Sequence, residues 1–159
     1  MSTSEDRTSS PPGGPEDFLG YLLSRAAGVV RGRTDATVRE LGLTSHALGF
    51  LLLLRAQPES SQSAVASRLG MDRTTMSQLV ESQVREGLVS RVPDSADRRN
   101  NRLSLTDAGH SILMEASARA FAVERTLTAG LSEVEVKTLR AFLEAMLASS
   151  DQTKPMADS

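Results

Sequence analysis

The chain of 159 residues has no cysteine and no tryptophan, and it carries one tyrosine and four phenylalanines. Without cysteine there is no disulfide, no thiolate metal site and no thiol redox switch. With so few aromatics, the expected core is Leu, Val and Ala, as in closely packed helices. The two histidines, His46 and His110, are far apart in sequence and form no ligand pattern, so neither metal nor cofactor is expected. An excess of positive charge is also missing: the formal charge is −2, so global basicity does not announce a nucleic-acid partner. The longest apolar run, Ala47 to Leu54 with Gly49 inside it, is too short to span a bilayer. The polar N-terminus shows no secretory pattern, and a cytoplasmic protein is expected. No Ser/His/Asp arrangement, phosphate-cradling Gly-rich loop or carboxylate pair suggests catalysis, so an enzyme is not expected.

What is present is a series of amphipathic helices with clear punctuation. Residues 1–15, rich in Ser, Pro and Gly, cannot offset the entropy of ordering and are expected to be a disordered tail, with a similar tail over 150–159. A first helix starts near Asp17 and runs to about Glu40, with Phe18, Leu22, Ala26, Val29 and Val30 on one stripe. Gly28 and Gly32 inside it, and Gly49 in the next helix, point to close helix approach or a kink. Thr44 caps a second helix, apolar on nearly every side and therefore the central one. Thr106 caps a fifth, carrying Ile112, Leu113, Ala116, Ala120 and Val123. Ser132 and Glu135 form a capping box for a sixth. Its face of Val136, Leu139, Leu143, Met146 and Leu147 must meet the first helix, a partner subunit, or both.

The most informative segment is Ser61 to Thr106. A third helix, roughly Gln62 to Leu69, is capped by Ser60 or Ser61 and stopped by Gly70. After the short turn Gly70-Met71-Asp72 a fourth begins, capped by Asp72 and ended at Gly87. Two helices so joined are a helix-turn-helix. The fourth helix turns Met76, Leu79, Val80 and Val84 inward and Arg73, Thr74, Ser77, Gln78 and Glu81 outward. Leu88 to Val92 and Arg102 to Leu105 alternate as two strands of a hairpin. Between Arg91 and Arg102 the hairpin gathers Arg91, Arg98, Arg99 and Arg102 against Asp94 and Asp97. Positive charge is thus local, and local charge is what phosphate contact requires.

These parts resemble the MarR (multiple-antibiotic-resistance-regulator) family of bacterial winged-helix repressors. The residues that carry the resemblance are Leu69-Gly70, Asp72-Arg73-Thr74-Thr75, Arg85-Glu86-Gly87-Leu88-Val89, Arg91, Pro93-Asp94, Asp97-Arg98-Arg99, Leu103, Leu105-Thr106 and Gly109, within about Phe18 to Ser149. The fold class implied is mainly α with a small β-hairpin wing: a winged helix-turn-helix with N- and C-terminal dimerisation helices. Residues 16–43 would be the first dimerisation helix, 44–106 the DNA-binding region and 107–149 the C-terminal dimerisation helices. The resemblance implies a homodimer that binds double-stranded DNA, usually as a repressor, and that a small, often aromatic, anion releases.

On the recognition face the expected DNA contacts are Arg73, Thr74, Thr75, Ser77 and Gln78: Gln pairs with adenine, Thr methyls touch thymine, and hydroxyls serve bases or phosphates. In the wing, Arg98, Arg99 and Arg102 are expected at phosphates or in the minor groove, where arginine is drawn by negative potential. The resemblance assigns Asp97 to bracing the loop and Arg99 to reaching the groove. It also implies an effector pocket lined by the first, second and fifth helices. There Arg25 would hold a carboxylate by a two-point contact and His46 would donate to a phenolate or carboxylate. The alternatives are an Arg25 ion pair between subunits and an exposed His46 in a first helical turn. An effector-independent regulator and a protein-interaction module remain the competing functions.

Overall fold

A computed structural model describes residues 13–93 and 101–152. Six helices and a three-stranded sheet follow one another as α1 (Leu19–Val38), α2 (Ser45–Ala56), β1 (Ser60–Ser61), α3 (Gln62–Leu69), α4 (Arg73–Arg85), β2 (Val89–Pro93), β3 (Asn101–Leu105), α5 (Asp107–Leu127) and α6 (Glu133–Gln152). The mainly helical winged-helix architecture read from the sequence is therefore the observed one. Short 3-10 turns flank α1, at Pro15–Asp17 and Arg39–Leu41. α1 itself begins two residues later than expected, with Phe18 at its N-cap.

Side chains start and stop the helices at the foreseen places. Thr44 Oγ1 accepts from Ala47 N–H at 3.1 Å, Ser61 Oγ from Ala64 N–H at 3.3 Å and Thr106 Oγ1 from Gly109 N–H at 3.0 Å. Each satisfies a donor that the first turn leaves orphaned. The capping box of α6 is formed: Glu135 Oε2 accepts from Ser132 N–H at 2.7 Å and Ser132 Oγ from Glu135 N–H at 3.3 Å. α2 also receives a cap from a distance. Asp35 Oδ1 on α1 accepts from Ser45 N–H at 2.6 Å, and this bond, ahead of a charge contribution from His46, lowers the carboxyl below its ordinary value.

The core lies under α2 within the winged head. Phe50, Leu51 and Leu54 of α2 are fully buried with Met76 and Val80 of α4, Leu103 of β3, Leu113 of α5 and Val38 at the end of α1. Each such side chain contributes roughly 1.5–3 kcal/mol over leaving it in water. α1 packs along α5, and Arg119 of α5 fastens that contact. Its guanidinium donates to Glu115 at 2.7 Å, to Glu40 at 3.1 Å and to the carbonyl of Thr37 at 3.2 Å.

Two expectations need correction. Gly28 and Gly32 neither break α1 nor mark a close approach among the described residues: the helix runs through both, and a Cβ on either would meet nothing within 4 Å. At Gly49 a Cβ would find only an ordinary contact with Leu69. The hairpin is a three-stranded sheet in the order β1-β3-β2, because Ser60 and Ser61 pair antiparallel with Leu103 and Arg102. Beyond these, Gln83 is buried among the inward residues of α4, and its Oε1 has no partner among the described residues.

Candidate nucleic-acid interface

Two glycines and one aspartate shape the helix-turn-helix. Gly70 takes φ +62°, the left-handed conformation that only glycine adopts without penalty, and lets Met71 N–H reach back to Ala66 O at 3.0 Å. The chain then enters α4 through Asp72. Its Oδ1 accepts from the N–H groups of Thr74 and Thr75, both at 2.9 Å, and its Oδ2 accepts the Thr75 hydroxyl at 2.6 Å. The Thr75 hydroxyl first, and these amides next, hold the Asp72 carboxyl below its ordinary value. Gly87, at φ +72°, closes the far end and turns the chain into β2.

The outward face of α4 is as expected but not uniformly open. Arg73, Thr74, Gln78 and Glu81 are exposed. Thr75 is exposed too, yet its hydroxyl proton is engaged by Asp72. Ser77 is partly buried, and its Oγ accepts from Gln62 Nε2 of α3 at 2.9 Å. Gln62 was not among the expected site residues. No local pattern points to it, since its bond to Ser77 spans two helices.

The junction behind the wing explains the Leu-Thr-x-x-Gly pattern. Thr106 donates its hydroxyl to Gly87 O at 2.7 Å while capping α5, and its N–H donates to Leu88 O at 3.1 Å. Gly109 lies against the same Leu88 carbonyl, where a Cβ would approach the oxygen to 2.0 Å. One threonine and one glycine thus bind the start of α5 to the exit of α4.

In the sheet, Val89 pairs with Leu105 and Val92 with Arg102, so β2 and β3 run antiparallel out toward the wing. Arg102 lies on the central strand, between Ser61 and Val92. Its Nη1 donates to Glu59 O at 3.3 Å, in the turn that leads to β1. Glu59 holds φ +58°, a conformation that costs a non-glycine residue about 1–2 kcal/mol. Arg102 therefore stands at the base of the wing. Asp97, Arg98 and Arg99 lie outside the described residues.

The two effector candidates fall in different places along the chain. Arg25 is exposed on α1, its Nη1 3.4 Å from the Tyr21 hydroxyl and its guanidinium carbon 5.9 Å above the Tyr21 ring centre. His46 is exposed in the first turn of α2, near Asp35. Arg25 precedes Asp35 by nearly three helical turns, a rise of about 15 Å. Among the described residues, no cluster of His, Asp or Glu is arranged to hold a metal ion, and no helix is long and apolar enough to cross a membrane.

Comparison with known proteins agrees with this geometry. A sequence profile of the MarR family matches residues 41–100. The chain is similar to a MarR-family transcriptional regulator from Rhodococcus sp. RHA1, with 29% identity over 86% of this chain and 96% of that one and a TM-score of 0.81. It is also similar to CouR from Rhodococcus jostii RHA1 bound to p-coumaroyl-CoA, with 26% identity over 93% of this chain and 100% of that one and a TM-score of 0.77. The transcriptional repressor CouR on a 23-mer DNA duplex matches at 29% identity over 87% of this chain and 99% of that one, with a TM-score of 0.78. With its helix-turn-helix, wing and flanking helices in this order, and with residues 41–100 matching the family's model, the chain is similar along most of its length to the MarR-family winged-helix, DNA-binding transcriptional regulators.

Proposed function

We propose that the protein is a homodimeric repressor that reads an inverted repeat in duplex DNA and is released by a small, aromatic or anionic ligand. The observation that carries the dimer is the apolar surface left uncovered on the flanking helices. On α1, Phe18, Leu19, Leu22, Val29 and Val30 are exposed, and on α6 so are Val134, Leu139, Phe142, Leu143, Met146 and Leu147. Among its described residues, α6 buries none against its own chain. Contiguous apolar surface of this kind marks an association site. A closed two-fold dimer that interleaves these helices buries it and presents two winged heads. Two-fold symmetry then implies half-sites about one helical turn apart, roughly 10 bp between centres.

Within each head, Arg73, Thr74, Thr75, Ser77 and Gln78 face the major groove, with Arg98, Arg99 and Arg102 serving the wing and Asp97 bracing it. The ligand response rests on likeness to CouR, whose solved structures include one with p-coumaroyl-CoA and one with DNA. Arg25 and His46 are the residues proposed for the ligand. The wing assignment is tested by Arg99→Ala, which is expected to weaken selected and random duplexes alike and to reduce the salt dependence of binding. Unchanged affinity for both duplexes sinks that assignment. Ligand control is tested by titrating aromatic acids and their thioesters against the DNA complex, where release is expected. A complex that none of them loosens favours an effector-independent regulator.

A further inference from the structure

The recognition face carries two hydroxyls whose inward bonds have opposite sense. Thr75 donates its proton to Asp72 Oδ2 at 2.6 Å and so offers DNA only lone pairs and a methyl group. Ser77 instead accepts, taking the Gln62 Nε2–H at 2.9 Å. A serine hydroxyl has a single proton, and an oxygen already accepting from Gln62 directs that proton elsewhere. Ser77 follows Arg73 by four residues and Thr74 by three, so it lies on the same outward stripe. The contact with Gln62 is partly buried, which limits competition from water.

We propose that Gln62 is a positioning residue that fixes Ser77 as a hydrogen-bond donor toward DNA. Ser77 then selects an acceptor on the duplex: a phosphate oxygen, or a base-edge acceptor such as guanine O6 or N7 or thymine O4. This rests on the recognition-face reading given above.

The test separates polarity from simple bracing of α3 against α4. In Gln62→Glu the carboxylate still bonds Ser77, so the helices stay braced, but it takes the serine proton and leaves Ser77 nothing to donate. Affinity is measured for the wild type, Ser77→Ala, Gln62→Glu and the double variant. The probes are a duplex selected by the wild-type protein from a random library and a scrambled duplex. Thermal unfolding checks that all four proteins fold.

The added charge is the same with and without Ser77, so it cancels from the comparison. Ser77→Ala is expected to cost roughly tenfold on the selected duplex in the wild-type background, the weight of one charge-assisted or well-formed hydrogen bond. In the Gln62→Glu background it is expected to cost almost nothing. An equal cost on the scrambled duplex identifies a phosphate acceptor, and a cost confined to the selected duplex identifies a base edge.

The same loss in both backgrounds overturns the proposal and leaves Gln62 a brace. No loss in either overturns it by removing Ser77 from the contact, while losses in Arg73→Ala and Gln78→Ala keep the recognition-face reading intact. If those two variants also bind normally, the recognition-face reading itself fails.

Discussion

At Gly109 a single methyl group decides whether two elements can meet. A Cβ would stand 2.0 Å from the Leu88 carbonyl oxygen, and that oxygen is backbone, already accepting from Thr106 N–H. Relief requires moving the start of α5 away from the exit of α4. Gly109→Ala is expected to destabilise by about 2 kcal/mol or more, read as a lower urea midpoint. An unchanged midpoint refutes the close approach. Asp72 is a residue whose effect depends on pH. Because its folded value is depressed below 3.8, its contribution to stability is fully present above that value and fades as pH falls through the lower folded value. Removing the carboxylate in Asp72→Asn is therefore expected to flatten the acid limb of the stability profile, measured as urea midpoint against pH. If the variant loses stability on acidification as steeply as the wild type, the capping carboxylate is not what titrates there.

Between elements, geometry separates two ion pairs that sequence makes look alike. Arg119 binds Glu115, Glu40 and the Thr37 carbonyl, joining α5 to the last turn of α1. Its side chain keeps 31% of its surface exposed, against 61% for Arg140, whose one ion pair among the described residues is with Glu124 at 3.2 Å. Exposed single pairs contribute about 0–1 kcal/mol at most. Arg119→Ala is expected to lower the thermal midpoint clearly more than Arg140→Ala, and equal effects disprove the clamp. Element boundaries were largely legible, since Thr44, Ser61, Asp72, Thr106 and Ser132 announce themselves as caps. β1 was not: two serines ahead of a helix carry no strand signal, and they become a strand only because β3 lies beside them. Gln83 is buried because it follows Val80 by three residues and Met76 by seven on the inward stripe.

For the whole molecule, the apolar pattern outruns the core. α1 and α6 present stripes with the spacing of buried faces, yet Phe18 is 55% and Phe142 65% exposed in the single chain. If a second copy covers them, charges placed there will split the assembly. Leu139→Glu with Phe142→Glu is expected to give monomers by sedimentation velocity, with DNA binding weakened and its salt dependence reduced as one head replaces two. A dimer that persists in the double variant refutes the placement of the interface on α6.

The sequence by itself determined what depends on neighbours along the chain: helix caps, left-handed glycine stops, the alternation of the strands and the polar stripe of α4. These are short-range properties, and hydrogen-bond stereochemistry and side-chain periodicity determine them within a few residues. Only the tertiary structure decided what depends on groups distant in sequence. It showed that Ser77 accepts from Gln62, that Arg102 anchors at Glu59, that Asp35 caps α2 and that Arg119 holds α1 to α5. Those bonds form only once the core under α2 brings the elements together, so no spacing along the chain encodes them.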